Sequence, residues 1–450
     1  MALQIFGFNN IGAGLRVDLT TADDVFVAAG VTVGSTDATA ISGTGSGHTA
    51  NIQGTVVGGN FGIILGNDSA VDNSQHLIVG KNGYIGAFQN WGATVTGYNS
   101  LVENDGTIFS TFIALVVEGT HASTQSRVIN TGVIDGGSYG IYHSGGGETL
   151  IVQNSGTIKS DSIAYVGTGV AIDQITNTGK MIGTVYLGSG NDIFDTRLGT
   201  LTGTVNADAG TDKLFGSALA DTFNGGDDND TISGYAGNDK LYGDNGNDLL
   251  AGGAGADTLD GGAGTDRASY ASATSGLTAS LLAPSLNTGE AKGDIYTAIE
   301  NLTGSNYNDS LFGNAVANAI SGGSGNDLIK GYAGLDALTG GSGNDTFVFD
   351  TALNAATNVD TITDYNVAAD TIRLENGIFT ALTATGVLTA AAFVKNATGL
   401  AADSSDRIVY ETDTGKLFYD QDGNGAAFAG VQFAKLAAGL ALTNADFFVV

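Results

Sequence analysis

The stretch "GGDDNDTISGYAGNDKLYGDNGNDLL" at residues 225–250 sets an aspartate at every ninth position, Asp230, Asp239 and Asp248, and an aliphatic residue two places after each, Ile232, Leu241 and Leu250. The glycines that lead into each aspartate suit a tight turn, since they accept positive φ and let carbonyl oxygens crowd together without Cβ clashes. The three residues that follow suit a short strand whose middle side chain points into a core. The spacing continues in both directions. After Asp192, aspartates stand at Asp212, Asp221, Asp230, Asp239, Asp248, Asp257 and Asp266, and, beyond an interruption, at Asp309, Asp327, Asp336 and Asp345, with Asn318 in the missing place. Core positions run through Leu214, Phe223 and Leu259 to Leu311, Ile320, Ile329, Leu338 and Phe347, and only Ala268 is small.

Composition narrows the chemistry. The 450 residues carry 46 acidic and 16 basic side chains, a formal charge of -30 that repels nucleic acid and attracts cations. Cysteine is absent, so no disulfide or thiolate site is available, and a metal would be held by oxygen, which favours hard cations. With 71 glycines and one proline the chain suits many tight turns and disfavours helix. The start, MALQIFGFNN, has no basic-then-apolar pattern of a cleavable export signal, and no apolar run approaches a membrane span.

"GGAGADTLD" (252–260), "GGSGNDLIK" (322–330) and "GGSGNDTFV" (340–348) resemble the RTX nonapeptide GGxGxDxUx. The resemblance implies a parallel β-roll in which two repeats complete one coil, so that turns 18 residues apart stack with calcium between them. It implies that all the aspartates named above, Asp192 included, are ligands, with carbonyls of turns opened by Gly225, Gly234, Gly243, Gly252, Gly261, Gly322, Gly331 and Gly340. Calcium takes about six to eight oxygens, and pairing the turns gives about eight ions. The turn at Asn318 and the turn "GSALADTFN" (216–224) are expected to be the poorest. The resemblance also implies calcium-driven folding outside the cell and export by type I secretion machinery through an uncleaved C-terminal signal.

A second repeat precedes the first. A degenerate VxNxGxI recurs as "VGKNGYI", "VENDGTI", "VINTGVI", "VQNSGTI" and "ITNTGKM", with central glycines at 83, 106, 132, 156 and 179. Residues two apart share one strand face, and coils of about this length build a parallel β-helix whose asparagines stack in a structural column. Upstream of residue 79 the texture is similar but the spacing too irregular to assign coils.

The expected fold is all-β: an N-terminal β-helix solenoid over 1–187, calcium-bound β-roll blocks over 188–269 and 304–350, an insertion at 270–303 that forms a hairpin or lateral bulge, and a C-terminal β cap with secretion signal over 351–450. The segment "NVDTITDYNVAADTIRL" (358–374) is expected to close the roll, and the tail ending in Asp446 and Phe447–Val450 is similar to type I export tails. Asp420, Asp422 and Asn424 open like an EF-hand, but Val431 stands where a bidentate Glu is required.

Enzyme motifs are sparse. There is no HExxH and no Walker loop; "GGSYG" at 136–140 matches GxSxG, but β-helix flanks give Ser138 no nucleophile elbow. Aligned coils place Gly86, Phe109, Asp135, Lys159 and Ile182 in one column, one ion pair and no acidic cluster. His48, His76, His121 and His143 follow no common repeat position and are expected at the surface. The reading favours a non-enzymatic secreted protein, an adhesin or S-layer subunit at the cell surface, partnered by itself or a surface glycan; the alternative is a polysaccharide lyase or epimerase with a β-helix catalytic module.

Overall fold

A computed structural model describes residues 2–20, 23–68, 71–119 and 121–450. Among them there is no α-helix, only four short 3-10 turns between strands, so the chain is all-β. It forms two compact units, Met1–Asp248 and Leu249–Val450.

In the first unit alternation decides the coil. Strands such as Thr49–Ile52 and Leu101–Asn104 bury every second residue. The buried residues stack through parallel pairing in three columns. One runs Val25, Ala50, Leu77, Val102, Val128, Val152, Ile175, Phe194, Leu214 and Ile232. A second runs Val33, Val56, Ile85, Ile108, Ile134, Ile158, Met181 and Leu201. A third runs Ile41, Ile63, Ala93, Leu115, Ile141, Tyr165, Val185, Val205, Phe223 and Leu241. Coils are therefore regular from Leu3 onward, including the part whose spacing hides them.

The transition between the two repeats has a simple cause. The second column ends with the strand Thr200–Thr202, and the coil then has two faces instead of three. The step shortens from one coil earlier: Val152 pairs with Ile175, Ile175 with Phe194, Phe194 with Leu214 and Leu214 with Ile232, advances of 23, 19, 20 and 18 residues, of which the 19- and 20-residue coils still carry Met181 and Leu201. The asparagine column is continuous inside the wider coils. Asn104 Nδ2 donates to Asn130 Oδ1 at 2.6 Å, Asn130 to Asn154 at 2.7 Å, Asn154 to Asn177 at 2.7 Å, and Asn177 to Thr196 Oγ1 at 2.9 Å.

The second unit carries two parallel columns. Leu250, Ala268, Leu302, Ile320, Leu338 and Ile362 form one, and Ala279, Leu311, Ile329, Phe347, Ile372 and Phe447 the other. The segment at 270–303 folds back on itself at one antiparallel bridge, Thr278 with Thr288, and is otherwise built into the coils. It supplies the parallel strands Thr278–Ser280, Ile295–Thr297 and Asn301–Thr303 and a 3-10 turn opened by Pro284. Strands Asp360–Ile362 and Thr371–Leu374 extend the two columns by one coil. An antiparallel meander of Ile408–Glu411, Lys416–Tyr419 and Val431–Lys435 follows. The last strand, Phe447–Val449, lies parallel to Thr371–Leu374 with Phe447 and Val449 buried.

Candidate metal centre

Aspartates of the ladder hold the coil before them. Asp212 N donates to Asp230 Oδ1 at 2.8 Å, Asp221 N to Asp239 Oδ1 at 2.8 Å and Asp230 N to Asp248 Oδ1 at 2.8 Å. In the second unit Asp309 N donates to Asp327 Oδ1 at 2.8 Å, Asn318 N to Asp336 Oδ1 at 2.8 Å and Asp327 N to Asp345 Oδ1 at 2.9 Å. The predicted residues Asp192, Asp257, Asp266, Asp309, Asp336 and Asp345 are all buried as well.

One carboxylate oxygen is thus spent on the backbone, and what the other meets separates two kinds of turn. In four glycine-rich turns it meets no donor: Oδ2 of Asp230, Asp327, Asp336 and Asp345 is buried without a hydrogen-bond partner. It lies over the first glycine of its own turn, where a Cβ on Gly225, Gly322, Gly331 or Gly340 would collide with it. At Gly322 the carbonyl oxygen of Gly340 is 2.5 Å from the same point, and at Gly225 that of Gly243 is 2.9 Å away. Gly252 and Gly261 stand in the same relation to Asp257 and Asp266.

The remaining glycines answer to the backbone. Second and fourth turn positions have left-handed φ, as at Gly323 and Gly325, and Tyr235, Asp244 and Tyr332 hold φ near +70° where a glycine would stand.

Where serine follows the first glycine, it donates to the carboxylate. Asp221 Oδ2 accepts from Ser217 N at 2.7 Å and Ser217 Oγ at 3.0 Å, while its Oδ1 is buried without a partner. Asp309 Oδ2 accepts from Ser305 N and Oγ. Asn318 closes its turn on Asn314 N at 2.8 Å, and its Nδ2 donates to the Glu300 carbonyl at 2.7 Å, so an amide N–H stands on an oxygen that a cation could otherwise use.

Electrostatics favour a cation at the glycine-rich turns. Burial pushes the carboxyl of Asp192 up to about 9, Asp212 to about 8, and Asp230 and Asp327 to about 7, with neighbouring carboxylates adding to the rise against the amide hydrogen bonds. Among the described residues no three His, Asp or Glu side chains converge as a metal cluster. An ion held here would draw on two carboxylates and a ring of turn carbonyls, an all-oxygen set that fits calcium.

Carboxylates outside the nonapeptides join the ladder. Asp173 N donates to Asp192 Oδ1 at 2.7 Å and Asp192 N to Asp212 Oδ1 at 2.6 Å. Asp257 N donates to Asp294 Oδ1, Asp266 N to Glu300 Oε2, Asp336 N to Asp360 Oδ1 and Asp345 N to Asp370 Oδ1. Their spacing departs from 18, and only the acidic residue before a short apolar strand marks them in the sequence.

Two histidines contradict the surface expectation. His48 and His143 are fully buried. The ring nitrogens of His48 lie 2.7 Å from the Asp23 carbonyl and 3.0 Å from that of Thr44, and His143 Nδ1 is 2.7 Å from Asp173 Oδ1. The coil interior accepts them because each ring meets oxygen there. His76 pairs with Glu103 at 2.7 Å, and the His121 ring packs at a tilt against Tyr98. Ser138 leads into the strand Tyr139–Gly145 rather than a helix. Asp135 and Lys159 pair at 2.8 Å in the column of coil faces.

Comparison with known families gives two matches. The RTX calcium-binding nonapeptide repeat matches at residues 206–241, 215–250 and 233–268. The C-terminal part of the serralysin peptidases of family M10 matches at 296–449. The chain carries RTX calcium-binding repeats. No curated protein matches the chain. With the serralysin-type C-terminal domain, the RTX repeats make this a calcium-binding protein secreted by a type I route to the cell exterior. Among the described residues no helix is long and apolar enough to cross a membrane.

Proposed function

We propose that the RTX turns from Asp192 to Asp266 and from Asp309 to Asp345 bind about eight calcium ions, and that binding folds the repeats after export. The carrying observation is the buried, donor-free Oδ2 of Asp230, Asp327, Asp336 and Asp345 turned onto its own glycine. A cation there satisfies the oxygen and relieves the repulsion between stacked carboxylates at once. In this reading residues 1–187 are the displayed solenoid, 188–269 and 304–350 the calcium-dependent roll joined through 270–303, and 351–450 the cap with the export signal.

For the solenoid the reading is a structural or adhesive role at the cell surface, as an adhesin or S-layer subunit, through self-association or glycan binding. Two observations support it. The aligned coil faces carry the separate pairs Asp135–Lys159 and His76–Glu103, and among the described residues no three such groups converge. The first coil shows Leu3, Ile5, Phe8 and Ile11 to solvent, each more than half exposed, an apolar face suited to another protein surface. Imaging the full chain with calcium, beside absorbance and NMR assays on alginate and pectate, tests the role. Ordered assemblies lost on chelation support it; unsaturated or epimerised products from the polymers would replace it with the lyase or epimerase reading.

A further inference from the structure

The last wide coil of the solenoid repeats the geometry of the RTX turns without their sequence. At Gly167 a Cβ would collide with Asp173 Oδ2 and with the carbonyl oxygen of Leu187. Those are the partners that the first glycine of an RTX turn has: the carboxylate of its own turn and the carbonyl one coil on, as for Gly322 with Asp327 and Gly340. The spacing hides it, because Gly167 precedes its aspartate by six residues instead of five and the next coil, with Leu187 five before Asp192, follows after 20 instead of 18.

The oxygens there are in the same state. Asp173 and Asp192 are both fully buried, and Oδ2 of each has no hydrogen-bond partner. The coils are tied as in the roll, by Asp173 N on Asp192 Oδ1 at 2.7 Å. The phenol of Tyr165, also fully buried, faces the Asp173 carboxylate. One coil earlier the column stops. His143 stands in register with Gly167, fills the place a first glycine leaves open, and bonds Asp173 Oδ1 at 2.7 Å.

We propose that the turns Gly167–Asp173 and Leu187–Asp192 hold one further calcium ion, with Asp173 Oδ2, Asp192 Oδ2 and turn carbonyls as ligands, so that the ion column begins inside the solenoid and His143 closes it. The inference rests on the calcium reading of the RTX turns. An ion at this place ties the coil of Ile158 and Tyr165 to that of Met181 and Val185, where the advance drops from 23 residues to 19 and one coil before the column through Leu201 ends.

The test counts calcium per folded full-length chain by native mass spectrometry for the natural protein, Asp173→Asn and Gly167→Ala. One ion fewer in both variants is expected. A conservative third variant, Tyr165→Phe, is read by tyrosine-sensitised emission after terbium replaces calcium, and part of the emission is expected to disappear even if the other variants misfold. An unchanged ion count, or unchanged terbium emission in Tyr165→Phe, overturns the extra site and leaves the RTX reading standing. A natural protein that binds no calcium overturns both.

Discussion

Asp230 faces two ways: Oδ1 accepts the backbone amide of Asp212 from the coil before at 2.8 Å, and Oδ2 lies buried, without a donor, over Gly225 of its own turn. The first oxygen sets the register between coils. The second has no donor, and a bound cation would satisfy it.

A methyl group at the first glycine should therefore act on the ion rather than on the strand. In Gly322→Ala the new Cβ meets Asp327 Oδ2 and the Gly340 carbonyl, both of them oxygens the ion needs. The expected result is a calcium midpoint raised by about tenfold or more, roughly 1.4 kcal/mol for each factor of ten. Far-UV circular dichroism during calcium titration of the full chain reads it, and an unchanged midpoint contradicts the cradle.

The two kinds of turn should separate in the same titration. Asp327→Asn removes a carboxylate whose second oxygen has no donor, whereas Asp309→Asn alters one already held by Ser305. Asp327→Asn is expected to raise the calcium midpoint several times more than Asp309→Asn. Equal effects would mean that the serine turns bind calcium as well as the glycine turns.

Restoring the missing carboxylate is the complementary change. In Asn318→Asp the amide that donates to the Glu300 carbonyl becomes an oxygen, which frees that carbonyl and adds a charge. Calcium-free protein should lose stability and calcium-loaded protein should gain affinity, read as melting temperatures moving in opposite directions with and without the ion. Parallel shifts would contradict the substitution of amide for cation.

The sign of the pH effect follows from the raised carboxyls. Burial pushes the carboxyls of Asp192, Asp212, Asp230 and Asp327 up to about 9, 8, 7 and 7 in the calcium-free fold, against about 3.9 in an unfolded chain. The folded state then holds more protons than the unfolded one, so calcium-free stability is greatest below pH 4 to 5 on this account and declines as pH rises through 7 to 9. Thermal melts of calcium-free protein at pH 5 and pH 8 should show the higher midpoint at pH 5. Adding calcium at pH 5, where the calcium-free fold is favoured, should release protons, measurable by titration calorimetry in buffers of different ionisation enthalpy; no release would mean that the carboxyls are already ionised in that fold.

How much of this was legible depended on spacing. The nonapeptide exposed the aspartates from Asp212 onward because each step is the same and the apolar residue always follows by two. Asp294, Glu300, Asp360 and Asp370 were hidden, since insertions stretch their coils to advances of 37, 34, 24 and 25 residues while the strands still align. The early coils hid for the same reason, with Val25, Ala50 and Leu77 at unequal steps. His143 reads as a surface residue in one dimension, because its partner Asp173 is brought beneath it only by the turn of a coil.

Hydrogen exchange with mass spectrometry on the full chain, with calcium and after chelation at pH 8, tests the central claim most directly. The account predicts that peptides from 207–266 and 304–345 lose protection on chelation and regain it with calcium, while those spanning the asparagine column from Asn104 to Asn154 stay protected throughout. Undiminished protection of the repeat peptides without calcium would contradict it.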